Sequence, residues 1–246
     1  MMQDSPTGPF VTSLAEATAE AAQPRFVSLF NGRDLTGWDG DADLWRVQDG
    51  AITGELREGQ KLPFNKFLIW RGGEPRNFEL HMSFWQAGNN SGIQYRSREL
   101  TDVGPFSVGG YQCDVHPNPP YNAQLYDERG RGIVAMRGQK VLLDEHGDKW
   151  LIGTTGPVEP IRNDEWHVFT VIAQGNRLIH NIDGQLAIEV IDHDAERRAL
   201  AGILAIQLHG GPPMKVQVRD VWLKVLPDGG LLTPADTPLP PAAVAL

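Results

Sequence analysis

Gly109-Gly110-Tyr111-Gln112-Cys113-Asp114-Val115-His116 is the stretch whose reading decides the fold. Successive side chains of a strand point to opposite faces, so an extended backbone here separates Gln112, Asp114 and His116 from Tyr111, Cys113 and Val115. The second set suits a core. The first is an amide, a carboxylate and an imidazole in a row, which suggests a sheet face turned toward a polar ligand, an ordinary solvated face being the alternative.

Working outward, Ser91-Gly92-Ile93-Gln94-Tyr95-Arg96 sets Gln94 and Arg96 against Ile93 and Tyr95. Ile203-Leu204-Ala205-Ile206-Gln207-Leu208-His209 sets Gln207 and His209 against Leu204, Ile206 and Leu208. Gln, Arg and His stand where a merely soluble surface would carry Lys and Glu. If the three strands are near neighbours, they build a single polar floor.

From residue 25 onward, short apolar runs alternate with Gly, Asn and Asp, the texture of a β-sandwich or barrel. Phe26-Val27-Ser28-Leu29-Phe30 reads as a strand that ends at Asn31-Gly32, and Phe67-Leu68-Ile69-Trp70 as a short buried one. Trp45-Arg46-Val47 and Ala51-Ile52-Thr53-Gly54-Glu55-Leu56 flank Asp49-Gly50, and residues 178–182 and 185–191 flank Asp183-Gly184, both favoured hairpin turns. Residues 77–86 alternate cleanly, with Phe78, Leu80, Met82 and Phe84 on one face. With strands at 166–173, 202–209 and 216–226, the expectation is an all-β, antiparallel sandwich of about a dozen strands over residues 25–227. Residues 1–24 read as a tail, disordered or a short helix at 13–22, and 228–246 as a Pro-rich tail. Between 117 and 163 the regularity is weakest, which reads as functional loops where Arg131 and Arg137 could reach over a ligand.

The 246 residues, 41% hydrophobic, suffice for one large core and argue against a disordered or membrane protein. A net charge of -9 makes nucleic acid and anionic membranes poor partners, and a neutral ligand a better one. Cys113 is the only cysteine, which rules out an intrachain disulfide. Residues 1–23 show no signal-peptide pattern, so the expectation is a cytoplasmic chain as written, or a periplasmic one if a leader lies upstream.

No phosphate loop, nucleophile elbow or zinc spacing is present, and Gly130-Arg131-Gly132 lacks the Lys and Ser/Thr of a phosphate cradle. Asp114, His116 and His209 could share a divalent ion, but lone His and Asp residues on strands are more often hydrogen-bonded groups, and no cofactor is expected. The carboxylate pair of a retaining glycosidase is also missing: the opening strand has Gln112 and His116 where acids would be needed.

Taken together, Ser28-Leu29-Phe30-Asn31-Gly32, Leu35-Thr36-Gly37-Trp38, Asn77-Phe78-Glu79-Leu80, Asn90-Ser91-Gly92-Ile93-Gln94-Tyr95-Arg96, Gly110-Tyr111-Gln112, Trp166 and Gln207-Leu208-His209-Gly210 closely resemble the bacterial 3-keto-disaccharide hydrolase family. The match runs from about residue 26 to 226. It departs from the family pattern at Asp183, where Asn commonly precedes the Gly, and at Asn122-Ala123-Gln124, which replaces a Thr-Gly pair. The resemblance implies a concanavalin A-like jelly roll, similar in shape to laminarinase-type glucanases.

It also implies cleavage of a glycoside whose C3 hydroxyl a separate sugar 3-dehydrogenase has oxidised. A C3 ketone acidifies the C2 proton; its removal gives an enolate that expels the C1 aglycone, and water adds back. On this reading His209 or Asp114 is the base, Glu55 a further acid/base candidate, and Arg96 stabilises the enolate oxygen. Gln94, Gln112 and Gln207 bind sugar hydroxyls, with Tyr111, His116 and Arg137 completing the substrate-binding set. The competing class is a non-catalytic, lectin-like carbohydrate-binding module, since the fold hosts both.

Overall fold

A computed structural model describes residues 6–19, 25–157, 160–162 and 164–246; the expectations for 1–5 and 20–24 lie outside the described residues. Among the described residues the chain forms eighteen strands in two sheets, one short α-helix, Leu14–Ala19, and one turn of 3-10 helix, Pro119–Tyr121. Among those residues no helix is long and apolar enough to cross a membrane.

The larger, eleven-stranded sheet runs Val244–Ala245, Lys149–Thr154, Gln139–Leu143, Gln185–Asp192, Arg177–Ile182, His167–Gln174, Phe78–Ala87, Met214–Val225, Ala51–Leu56, Trp45–Gln48, with Val27–Ser28 also pairing on Met214–Val225. The smaller, seven-stranded sheet runs Gly132–Ala135, Leu125–Glu128, Val108–Val115, Ser91–Glu99, Ile203–Leu208, Lys66–Trp70, Trp38–Asp39. Nearly all neighbours are antiparallel; Gln139–Leu143 and Gln185–Asp192 are parallel. The fold is therefore the antiparallel sandwich that the alternation predicts.

The core lies between the sheets. Phe78, Leu80, Met82 and Phe84 meet Ile93, Tyr95, Tyr111, Cys113, Leu204 and Ile206, all essentially inaccessible. Removing each such large apolar side chain from water contributes about 1.5–3 kcal/mol. A polar strut crosses this layer: Tyr95 Oη lies 2.8 Å from His180 Nε2, and His180 Nδ1 lies 3.0 Å from the Ala123 carbonyl. Burial pushes the His180 pKa down to about 4, so the ring is neutral, donating from Nδ1 and accepting at Nε2.

Two stretches depart from expectation. The segment read as irregular contains Leu125–Glu128, Gly132–Ala135, Gln139–Leu143 and Lys149–Thr154, which extend both sheets. The Pro-rich C-terminal stretch lies along the larger sheet: Asn176 exchanges hydrogen bonds with the Leu232 backbone (2.8 and 3.0 Å), and Val244–Ala245 covers the edge of Lys149–Thr154.

Arg131 does not reach over an open face. It lies at one end of the sandwich, with a 6% exposed side chain, bound to Asp127 (2.9 Å), Asp192 (2.8 Å) and Asp194 (3.3 Å). Tyr111 Oη donates to Asp192 at 2.6 Å. Deleting the cation leaves buried carboxylates uncompensated, which typically costs about 3–5 kcal/mol. Arg131→Met should lower unfolding stability by that order in denaturant titrations at pH 7. An unchanged midpoint at pH 7 would show that the network contributes nothing.

Candidate functional site

The smaller sheet turns one face to the core, so alternate positions of each strand form an outer face. Register places Gln94 opposite Gln112 and Gly92 opposite Asp114. Tyr126 lies opposite Gln112 on the next strand, and Glu128 opposite Gly110. On the other flank Ala205 pairs with Gln94, and Gln207 with Phe67. Gln94, Gln112, Asp114 and Gln207 thus share one floor. A Cβ at Gly92 would lie 2.4 Å from Gln112 Cδ, so that glycine leaves the space in which Gln112 bends toward Asp114.

The floor is a hydrogen-bonded row. Ser97 Oγ donates to Gln94 Oε1 (2.6 Å), Gln94 Nε2 to Gln112 Oε1 (2.9 Å), and Gln112 Nε2 to Asp114 Oδ1 (2.5 Å). Gln124 Nε2 donates to Asp114 Oδ2 at 2.6 Å. Burial pushes the Asp114 pKa up to about 7 against the pull of these two amides, so the carboxyl changes charge near neutrality. Gln207 is fully buried, and among the described residues neither end of its amide has a hydrogen-bond partner.

At the margin of the floor stand His209, His116, Glu128 and Tyr126. His209 Nδ1 lies 2.5 Å from the Gly210 carbonyl and 3.0 Å from Asn89 Nδ2. The carbonyl only accepts and the amide nitrogen only donates, so the two compete for Nδ1; the shorter contact, to the carbonyl, favours a proton on Nδ1 and a lone pair on Nε2. Burial raises the Glu128 pKa, with the neighbouring His209 and an Asn65 amide 3.4 Å away opposing the shift. Burial lowers the His116 pKa, and His209 adds to that; its Nδ1 accepts from the Asn118 N–H at 2.9 Å. The far end of the floor is apolar: Phe67, Ile69, Val108 and Ala205 are covered by Phe106 and Ile203.

Of the predicted residues the structure brings together Gln94, Gln112, Asp114, Gln207, His209 and His116. Four others stand elsewhere. Arg96 sits in a β-bulge at φ 46° and donates to the carbonyls of Arg76 (2.9 Å), Gly175 (2.7 Å) and Ala199 (3.3 Å), so its guanidinium anchors loops rather than facing a ligand. Glu55 belongs to the larger sheet, opposite Lys215, and binds Arg46 at 2.7 Å. That hydrogen bond lowers its pKa, unlike the raised value of a general acid. Tyr111 faces the core and bonds Asp192. Arg137 follows Gly132–Ala135, its N–H donating to the Pro120 carbonyl at 3.1 Å, and its charge acts on Asp183 rather than on the floor.

Sequence reasoning missed Glu128, Tyr126 and Gln124, because Leu125–Glu128 lay in the stretch without clear periodicity. Alternation was present there, but Asp127 on the inner side disguised it. Asn65 and Asn89 carry no sequence signal, since their place depends on loop paths. Among the described residues no group of three or more His, Cys, Asp or Glu is arranged to hold a metal ion.

An all-β sandwich whose smaller sheet carries an amide floor, a buried carboxyl and an adjacent imidazole is the architecture of a carbohydrate-active protein. Residues 25–224 match the 3-keto-alpha-glucoside-1,2-lyase-like domain, and the chain belongs to that family. A solved structure of a candidate glycosyl hydrolase from Parabacteroides distasonis ATCC 8503 is similar, with a TM-score of 0.55 at 21% identity, covering 86% of this chain and 97% of that one. Another from that organism has a TM-score of 0.54 at 15% identity, covering 82% of this chain and 100% of that one. The carbohydrate-binding module CBM66 from Bacillus subtilis gives 0.51 at 14% identity, covering 77% and 96%. At these identities the likeness is one of fold. No curated protein matches the sequence.

The raised Asp114 pKa has a thermodynamic consequence. Its folded value of about 7 exceeds the ordinary value of 3.8, so its contribution to stability is fully present below the unfolded pKa and lost as pH rises through the folded one. Asp114→Asn removes the charge while keeping the shape, and the unpartnered Gln124 Oε1 can turn to accept the new N–H. The variant should melt higher than wild type at pH 8 and close to it at pH 5. A lower melting temperature at pH 8 would contradict the assignment of a neutral-preferring carboxyl.

Proposed function

We propose that the protein cleaves 3-keto-glycosides by removing the C2 proton, expelling the C1 aglycone and adding water back. The observation that carries this reading is the pairing at the floor's margin. His209, held at Nδ1 by the Gly210 carbonyl, stands near Glu128, a carboxyl that burial favours in its protonated form. An imidazole and a carboxyl that keeps its proton divide base and acid roles between them.

The steps follow. His209 Nε2 takes the proton at C2, leaving an enolate with its charge on the C3 oxygen. That charge needs a hydrogen-bond donor, which Arg96, turned away toward backbone carbonyls, does not supply. The enolate re-forms the ketone as the C1–O bond breaks, and Glu128 protonates the departing oxygen. Water then adds at C1 and a proton returns to C2. The partly exposed Tyr126 and His116 hold sugar hydroxyls above the buried row of Gln94, Gln112 and Asp114. The ketone is supplied by an earlier oxidation at C3.

Incubating the purified protein with a 3-keto-glucoside and with its unoxidised parent tests the reading. Aglycone release from the keto form alone is expected. His209→Ala and Glu128→Gln should each lower kcat by about 10²–10⁴-fold, the usual worth of general acid–base groups, whereas Tyr126→Phe should act mainly on KM. Binding of unoxidised glycans without turnover of either compound would overturn the reading in favour of a carbohydrate-binding module. Full turnover in His209→Ala would remove the base assignment.

A further inference from the structure

Strict alternation along Ser91–Glu99 would put Ser97 on the inner face with Ile93 and Tyr95. The register shift between Tyr95 and Arg98 changes that. Arg96 and Ser97 both stand opposite Gly110, and a Cβ on Gly110 would fall 2.7 Å from Ser97 Oγ. The bulge therefore delivers a hydroxyl to the start of the floor, 2.6 Å from Gln94 Oε1. Ser97 has no direct contact with Asp114.

We propose that Ser97 is a positioning residue: its hydroxyl ends the row Gln94–Gln112–Asp114 and, by donating to Gln94, favours the direction in which both amides point. Each amide has a donating and an accepting end, so the row has two polarities. In the one observed, every Nε2 points toward Asp114, which suits an ionised carboxylate. In the reverse one, Gln112 Oε1 would face Asp114, which requires that carboxyl to be protonated and donating. Gln94 Nε2 would then face Ser97 Oγ, and the serine proton would turn to the Tyr95 or Tyr111 carbonyl, 3.0 and 3.3 Å away. Ser97 is thus the group at the row's end that satisfies both polarities. As a donor to Gln94 it stabilises the one that keeps Asp114 charged. The members are almost inaccessible, Gln94 at 0%, Gln112 at 2% and Ser97 at 4%, so solvent does not readily replace a lost partner.

The consequence is a link between the charge of Asp114 and the direction of the buried amides beside it. The titratable groups facing Asp114 are Glu128 and Tyr126 on the adjoining strand, with His209 and His116 near Glu128 at the margin. On the other side Ser91–Glu99 presents Gln94 and Ser97, and the turn before Leu125 presents Gln124. None of these last three titrates.

The test is a carbon-13 NMR titration of the Asp114 carboxyl in wild type, Ser97→Ala, Gln94→Met and the double variant. Ser97→Ala should raise the midpoint by about half a pH unit, the effect of weakening one hydrogen bond to the charged form through a relay. Gln94→Met should raise it at least as far, and the double variant no further than Gln94→Met alone, because Ser97 acts through Gln94. Ser97→Thr, which keeps the hydroxyl, should stay at the wild-type midpoint. An unmoved midpoint in Ser97→Ala, or full additivity with Gln94→Met, would overturn the proposal. The titration needs no substrate, so absence of turnover on 3-keto-glycosides would sink the proposed reaction while leaving Ser97 to be judged separately.

Discussion

The Arg96 guanidinium is the constraint on which the site depends. It is 2% exposed and donates to backbone carbonyls from three segments distant in sequence, those of Arg76, Gly175 and Ala199. Charge-assisted bonds of this kind satisfy carbonyls that burial would otherwise leave unpaired, and they hold the left-handed backbone of Arg96 in place. The bulge they lock sets Ser97 on the outer face and leaves Gln94, on its regular side, opposite Gln112. Loss of the bulge would move Ser97 to the core side and leave Gln94 without its partner.

From that fixed point the functional argument is one of electrostatics. The floor buries a carboxyl, three amides that orient around it and one amide, Gln207, that bonds to none of them. At the margin, the Gly210 carbonyl sets the tautomer of His209 and burial favours neutral Glu128. A site with one open imidazole nitrogen and carboxyls of raised pKa suits proton transfer to and from carbon and oxygen.

Much of this was legible in the chain. Period-2 alternation separated Gln112 and Asp114 from Tyr111 and Cys113, and the same rule grouped Gln94, Gln207 and His209, because one face of a sandwich sheet must be apolar. The rule fails where geometry is not periodic. Arg96 shared its parity with Gln94, but the bulge opposite Gly110 gave it a different direction. Glu55 follows a clean alternation yet lies in the other sheet, since local pattern carries no information about sheet membership. Tyr111 faces inward as its parity requires, and its hydroxyl is held there by Asp192 rather than by a ligand. Glu128 was hidden because Asp127 occupies the inner position where an apolar residue would mark the strand, a charge tolerated there by Arg131.

Proton removal from C2 is the step that separates this account from ordinary glycoside hydrolysis. The most direct measurement uses a 3-keto-glucoside with deuterium at C2, following both the rate of aglycone release and the isotope in the sugar product. The account predicts a primary isotope effect on kcat/KM, or, where another step limits the rate, loss of the deuteron to solvent in the product. Release of the aglycone with the C2 deuterium fully retained would contradict it.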